Sequence, residues 1–132
     1  MNFMPVNGDA AQAYFLSRPE AWLDFPFDPD VYVFKIRKKM FGTLGWEEDV
    51  ARINLKCDPQ QALMLRDVFD AVVPGYHMNK AHWNTVMLDG SIPEGELQRM
   101  IDHSYALVVG KLPKAERVSL EVQYGKDVIY AA

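Results

Sequence analysis

The sequence predicts an α+β fold of two layers: an antiparallel sheet with helices on one face, in the order α-β-β-β-α-β-β-α, plus a C-terminal β extension. Three observations predict it. Extended segments alternate apolar and polar residues, so one face of each is buried while the other meets water. The first three of these segments are joined by links of turn length, too short for a parallel crossover. Helical segments open on capping signals and close on glycine or proline. At 132 residues the chain is sized for one domain, 1–132, with a core from about 9 to 114 and an extension over 115–132.

The first helix is read at 9–17, where "DAAQAYFLS" follows an Asn7-Gly8-Asp9 start signal and runs into Arg18-Pro19. Residues 19–30 carry three prolines in twelve positions and read as a structured loop. In "VYVFKIR" (31–37), Tyr32, Phe34 and Ile36 share one face while Lys35 and Arg37 share the other with Val31 and Val33. "MFGTLGW" (40–46) follows Lys38-Lys39, and the acidic "EEDV" links it to "ARINLKC" (51–57), where Ile53 and Leu55 oppose Arg52, Asn54 and Lys56. Together these make a three-stranded meander.

Asp58-Pro59 is an N-cap followed by an N1 proline, and Ala62, Leu65 and Phe69 form the apolar stripe of a helix ending near Asp70. Residues 71–77 and 82–88 read as two short strands, with a turn at Leu88-Asp89-Gly90. Ser91 to Pro93 opens a last helix, with Leu97, Met100, Ile101, Ser104 and Val108 at helical spacing before Lys111 and Pro113. In the tail, Val118, Leu120 and Val122 alternate ahead of a Tyr124-Gly125-Lys126-Asp127 turn, which predicts a hairpin or edge strand.

Fourteen basic against eighteen acidic side chains give a net charge of −4. That excludes a whole-molecule field drawing in a polyanion, so nucleic-acid binding would need a local patch. The charge is polarised in that sense: residues 1–30 hold one base and five acids, residues 31–56 six bases and three acids. A single cysteine, Cys57, excludes an intramolecular disulfide. No apolar run approaches the roughly 18 residues of a membrane span and no leader pattern opens the chain, so a cytoplasmic location with no membrane partner is expected.

If Tyr32, Phe34, Ile36, Ile53 and Leu55 point inward, strand geometry sends Lys35, Arg37, Arg52, Asn54 and Lys56 outward together, with Lys38 and Lys39 at the hairpin tip. This face reads either as a phosphate-contacting surface, with Lys80 added from the later loop, or as an ordinary solvated strand face whose charges discourage edge pairing. A second concentration of polar residues lies in "PGYHMNKAHWNTV" (74–86). Tyr76, His77, Asn79, His82, Trp83 and Asn84 read there either as a recognition cluster or as turn asparagines and a packed aromatic. His77 and His82 are five apart, which puts them on opposite faces of an extended strand and argues against a metal pair. Cys57 shares the parity of Ile53 and Leu55 and reads as a buried small hydrophobe. With no nucleophile elbow, P-loop, paired acid and base or ligand spacing, neither enzymatic activity nor a cofactor is expected.

Taken as whole phrases, "FPFDPDVYVFKIRKKMFGTL", "RINLKCDP", "VVPGYHMNKAHWNTVMLDGSIP" and "IDHSYALVVGKLPK" resemble the MmcQ/YjbR family of small bacterial proteins. The resemblance covers about Asp9 to Lys114. It implies a compact domain related to the CyaY-like (frataxin-like) or secretion-chaperone-like folds, and DNA binding through a double-wing arrangement. The matching phrases include Lys35, Arg52, Asn54, Lys56, His77, Asn79, Lys80, His82, Trp83 and Asn84. No catalytic residue comes with the resemblance. Frataxin-like iron chemistry would want an acidic first helix, and 9–17 holds only Asp9. The function expected is a non-enzymatic DNA-binding or regulatory domain. The alternatives are a protein-interaction or chaperone-like module that pairs with a partner or a second copy through the sheet face or the C-terminal strand, and a small-ligand site around His77 to Asn84.

Overall fold

The computed structural model describes residues 5–76 and 78–131. The elements run α1 (Pro5–Leu16), β1 (Trp22–Asp24), β2 (Tyr32–Ile36), β3 (Lys39–Glu47), β4 (Val50–Lys56), α2 (Pro59–Val68), β5 (Val72–Pro74), β6 (Trp83–Met87), α3 (Glu94–Gly110), α4 (Lys114–Tyr124) and α5 (Lys126–Ile129). All six strands join one antiparallel sheet in the order β1-β2-β3-β4-β6-β5. The α+β architecture is observed, and through α3 the expected element order holds with one strand added after α1.

Two elements differ from expectation. Residues 22–24, read as loop, form β1 on the sheet edge. The prolines at 19 and 26 flank this strand rather than interrupt it, and the Trp22 indole N–H donates to the Arg37 carbonyl at 2.8 Å. The tail is helical, not a β extension. Pro113 and Gly125 bracket α4, the Arg117–Glu121 ion pair (3.3 Å) supports it at i,i+4, and only Leu120 of the alternating trio is buried. Val118 and Val122 face outward, so the period-two pattern there is incidental. Leu120 and Ile129 instead join the main core.

Register sorts the side chains. The rows Phe34–Gly42–Leu55–Asn84 and Tyr32–Leu44–Ile53–Val86–Val72 face the helices, and Val33–Thr43–Asn54–Thr85–Val73 faces away. On the helix side Phe15 of α1 stacks on Phe34 with centroids 4.2 Å apart, and Phe41 meets Phe15 and the Tyr105 ring of α3 edge-on at 5.7 and 5.2 Å. Burying each such aromatic side chain contributes about 1.5–3 kcal/mol. Gly42 is obligatory here because a Cβ would lie 2.2 Å from the Phe15 ring.

A bulge opposite Phe34 and Lys35 turns Phe41 inward, and the β3–β4 ladder ends beside it at Gly42–Leu55. The fully buried Ser104 of α3 bridges the two strands there, its hydroxyl accepting from the Lys56 N–H at 2.9 Å and donating to the Phe41 carbonyl at 2.6 Å. At α2, Asp58 accepts from the N–H groups of Gln60 and Gln61 as its capping position requires.

Candidate nucleic-acid interface

The parity expected of the meander is observed. Lys35, Arg52, Asn54 and Lys56 lie on the sheet face away from the helices, where Trp22, Lys35 and Met40 are paired across β1, β2 and β3 and Lys56 is paired with Trp83 across β4 and β6. Between the long side chains the floor is a polar ladder. The Asn54 amide donates to the Thr43 hydroxyl (2.9 Å), the Thr85 hydroxyl donates to the Asn54 carbonyl oxygen, and the Tyr76 N–H donates to the Thr85 hydroxyl (3.1 Å). Asn54 is thus consumed in cross-strand bonding.

The cations of this face are not equivalent. Lys35 pairs with Asp24 at 2.8 Å and lies over the Trp22 ring, and that hydrogen bond holds the Asp24 carboxyl below the usual carboxylate range. Arg37 sits in the β2–β3 turn with φ +55 and pairs with Glu20, which also accepts from the Tyr124 hydroxyl of α4. Arg52 pairs with Glu47 at 2.7 Å. Among the described residues Lys38, Lys39 and Lys56 make no ion pair, and Lys38 and Lys39 are exposed at the hairpin tip.

The antiparallel register also sorts charge along the strands. One end of the sheet gathers the β2–β3 turn, the end of β4 and the β5–β6 loop, and so Arg37, Lys38, Lys39, Lys56 and Lys80 against Glu20 and Asp58. The opposite end gathers Asp28, Asp30, Glu47, Glu48, Asp49, Asp70 and Asp89 around Arg52. Arg52 therefore shares the face, but not the end, of the other cations.

Among the described residues, the 74–86 stretch does not converge on one site. Asn84 is 2% exposed on the helix side, where its carbonyl oxygen accepts from Arg66 Nε at 2.7 Å. Arg66 also donates to the Lys80 carbonyl. Lys80 Nζ donates to the Gly75 carbonyl (3.1 Å) and Asn79 accepts from the Ala81 N–H (2.9 Å), so both side chains hold the loop together. Trp83 lies on the outer face, Tyr76 and His82 are exposed, and His77 falls outside the described residues. Sequence reasoning missed Arg66 and Trp22. Arg66 is four residues past Ala62 on the buried stripe of α2, and a charge on an apolar stripe signals a partner. Trp22 was obscured by the neighbouring prolines.

Two cavities lie on the helix side. One, about 420 Å³, opens between α1, α3 and the Leu88–Pro93 segment; the other, about 270 Å³, lies between α2 and α3 over Leu55 and Val86. The smaller is lined by Cys57, whose thiol burial pushes up to about 11, and by His103, whose burial pulls it below the ordinary histidine value. The thiol is therefore protonated near neutral pH. Among the described residues no three histidine, cysteine or acidic side chains are placed to hold a metal, and no helix is long and apolar enough to cross a membrane.

The fold and this face define a class: α+β proteins with an antiparallel sheet covered by helices on one side and polar on the other. Within it the chain belongs to the YjbR family, whose model matches residues 16–107. It is 38% identical to YbdF of Escherichia coli O157:H7 over 83% of this chain and 89% of that one, and 34% identical to YjbR of Escherichia coli K12 over 79% and 88%. Among solved structures, Deinococcus radiodurans DR2400 superposes with a TM-score of 0.79 at 36% identity, covering 85% of this chain and 86% of that one. A Pseudomonas syringae protein gives 0.61 at 30%, covering 81% and 98%. The Escherichia coli relatives are described as uncharacterized, so membership fixes the architecture and leaves the chemistry to the residues. Helices α4 and α5 lie beyond the family match.

Proposed function

We propose that this YjbR-family protein is a non-enzymatic cytoplasmic domain that binds nucleic acid, DNA in the first instance, through the basic end of its sheet. Lys38, Lys39 and Lys56 are the principal phosphate contacts. The observation that supports this reading is the segregation of charge along the strands. The nine residues of β3 span about 30 Å, whereas the screening length is about 10 Å at 0.1 M salt. A phosphate beside Lys38 is therefore little affected by Glu48 at the far end, and the net charge of −4 does not forbid binding.

Arg37 and Lys35 are secondary contacts. Exposed ion pairs stabilise by only about 0–1 kcal/mol, so a phosphate can replace Glu20 or Asp24 at small cost. Arg52 leaves the contact set because it lies toward the acidic end of the sheet, Asn54 because the polar ladder consumes it, and Lys80 because its ammonium donates to the Gly75 carbonyl. Trp22 is paired with Lys35 and Trp83 with Lys56 on the same face, where both rings are placed for base stacking.

The test is a salt series of binding to a labelled oligonucleotide. Replacing Lys38, Lys39 and Lys56 together by alanine should flatten the slope of log affinity on log salt by about 2–3, at 0.7–0.9 per phosphate contact. Asp28→Asn with Asp30→Asn should leave the slope unchanged. An unaltered slope in the lysine variant, or no binding at low salt, contradicts the proposal.

A further inference from the structure

We infer that the aromatic surface at the acidic end of the sheet docks the basic β2–β3 turn of a second copy of this chain, so that the protein associates head to tail. Phe25, Phe27 and Trp46 are exposed there, Phe27 by 72%. Phe25 and Trp46 are joined through Tyr32, which Phe25 meets edge-on at 5.1 Å and Trp46 at 5.7 Å, and Phe27 stands two residues past Phe25 in the same loop. A connected apolar surface of this kind marks an interaction site. Its rim sets the sign of the occupant. Asp28 and Asp30 follow Phe27 in the same loop, and Glu48 and Asp49 form the turn beyond Trp46. Aromatic faces edged with carboxylates suit lysine or arginine side chains, through cation–π attraction and opposite charge.

The chain itself carries such a group at its other end. Lys38 and Lys39 project from a hairpin tip fixed by the Trp22 hydrogen bond to the Arg37 carbonyl and by the Arg37–Glu20 ion pair. A turn held this way loses little freedom on docking. The two surfaces lie at opposite ends of β3, about 30 Å apart, so the turn of one molecule cannot reach its own aromatic surface. The contact is intermolecular and joins unlike surfaces, so it closes into a pair or ring where the relative rotation of the copies allows and otherwise runs on as an open chain. This inference goes beyond the nucleic-acid reading and does not depend on it. Where both hold, phosphate and a neighbouring copy compete for the same lysines.

Sedimentation of the full chain without nucleic acid tests it, using a basic-end variant, Lys38→Glu with Lys39→Glu, and an acidic-end variant, Phe27→Ser with Glu48→Asn and Asp49→Gly. The acidic-end variant keeps its fold. Phe27 is exposed, and Glu48 and Asp49 both have positive φ (53 and 68) in a two-residue turn for which Asn-Gly is the favoured pair. Wild type should gain mass with concentration at about 0.1 M salt and lose it at about 1 M, where the screening length falls to about 3 Å. Each variant alone should stay monomeric, and an equimolar mixture should stop at a dimer, since only one productive contact remains. A wild type that stays monomeric, a variant that associates alone as wild type does, or a mixture that forms no dimer overturns the inference.

Discussion

His103 shows what one side chain in a half-dry setting does. It sits on α3 beside the cap of α2, its Nε2 accepting from the Asp58 N–H at 3.3 Å. Burial lowers its pKa, opposed by the nearby Asp58 carboxylate. The folded form therefore binds its proton less readily than the unfolded chain, whose histidine titrates near about 6.5. The sign follows: the stability this residue contributes is fully present above that value and is lost as pH falls through and below it. Between about pH 7.5 and 5.5 ordinary carboxylates stay ionised, so the loss in that window belongs to histidine. Urea unfolding should show stability declining toward the acid side in wild type and a flatter profile in His103→Gln. Equal slopes in the two proteins would remove the effect from this residue.

At the scale of elements, the joint between α3 and the sheet is the most exacting contact. The bulge at Phe41 leaves a carbonyl and an N–H in a dry core, and the Ser104 hydroxyl satisfies both. Ser104→Ala removes two hydrogen bonds while keeping the volume nearly constant, and each orphaned group costs about 1–3 kcal/mol. The urea midpoint should fall accordingly with the m-value unchanged, and a loss below about 0.5 kcal/mol would mean the ladder closes without the serine. The meander was legible in the sequence because Phe34, Ile53 and Leu55 alternate with Lys35, Arg52 and Lys56. The bulge was not, since nothing in "KKMFGTL" marks Phe41 as turned inward. The tail was misread because Val118, Leu120 and Val122 satisfy a period of two by accident, while Pro113 and Gly125, the true boundaries, flank good helix formers.

Across the whole molecule, the composition reports a modest net negative charge and hides its arrangement. The shared face of the cations followed from strand parity and could be read from sequence. Their division between two ends depends on which residues lie opposite one another, and that is why Arg52, counted with Lys35 and Lys56, ends up among acids beside Glu47. Similarly, Asn79, Lys80 and Asn84 looked like a recognition cluster because their loop partners, Arg66 and the Gly75 carbonyl, are distant in sequence or belong to the backbone. The central claim is that nucleic acid meets the basic end of the sheet. Amide chemical-shift mapping during titration with a short oligonucleotide tests it most directly. The account predicts perturbations concentrated at residues 36–40, 56–58 and 80–83, and contradiction would be shifts centred on 25–31 and 47–50 or no shifts at all.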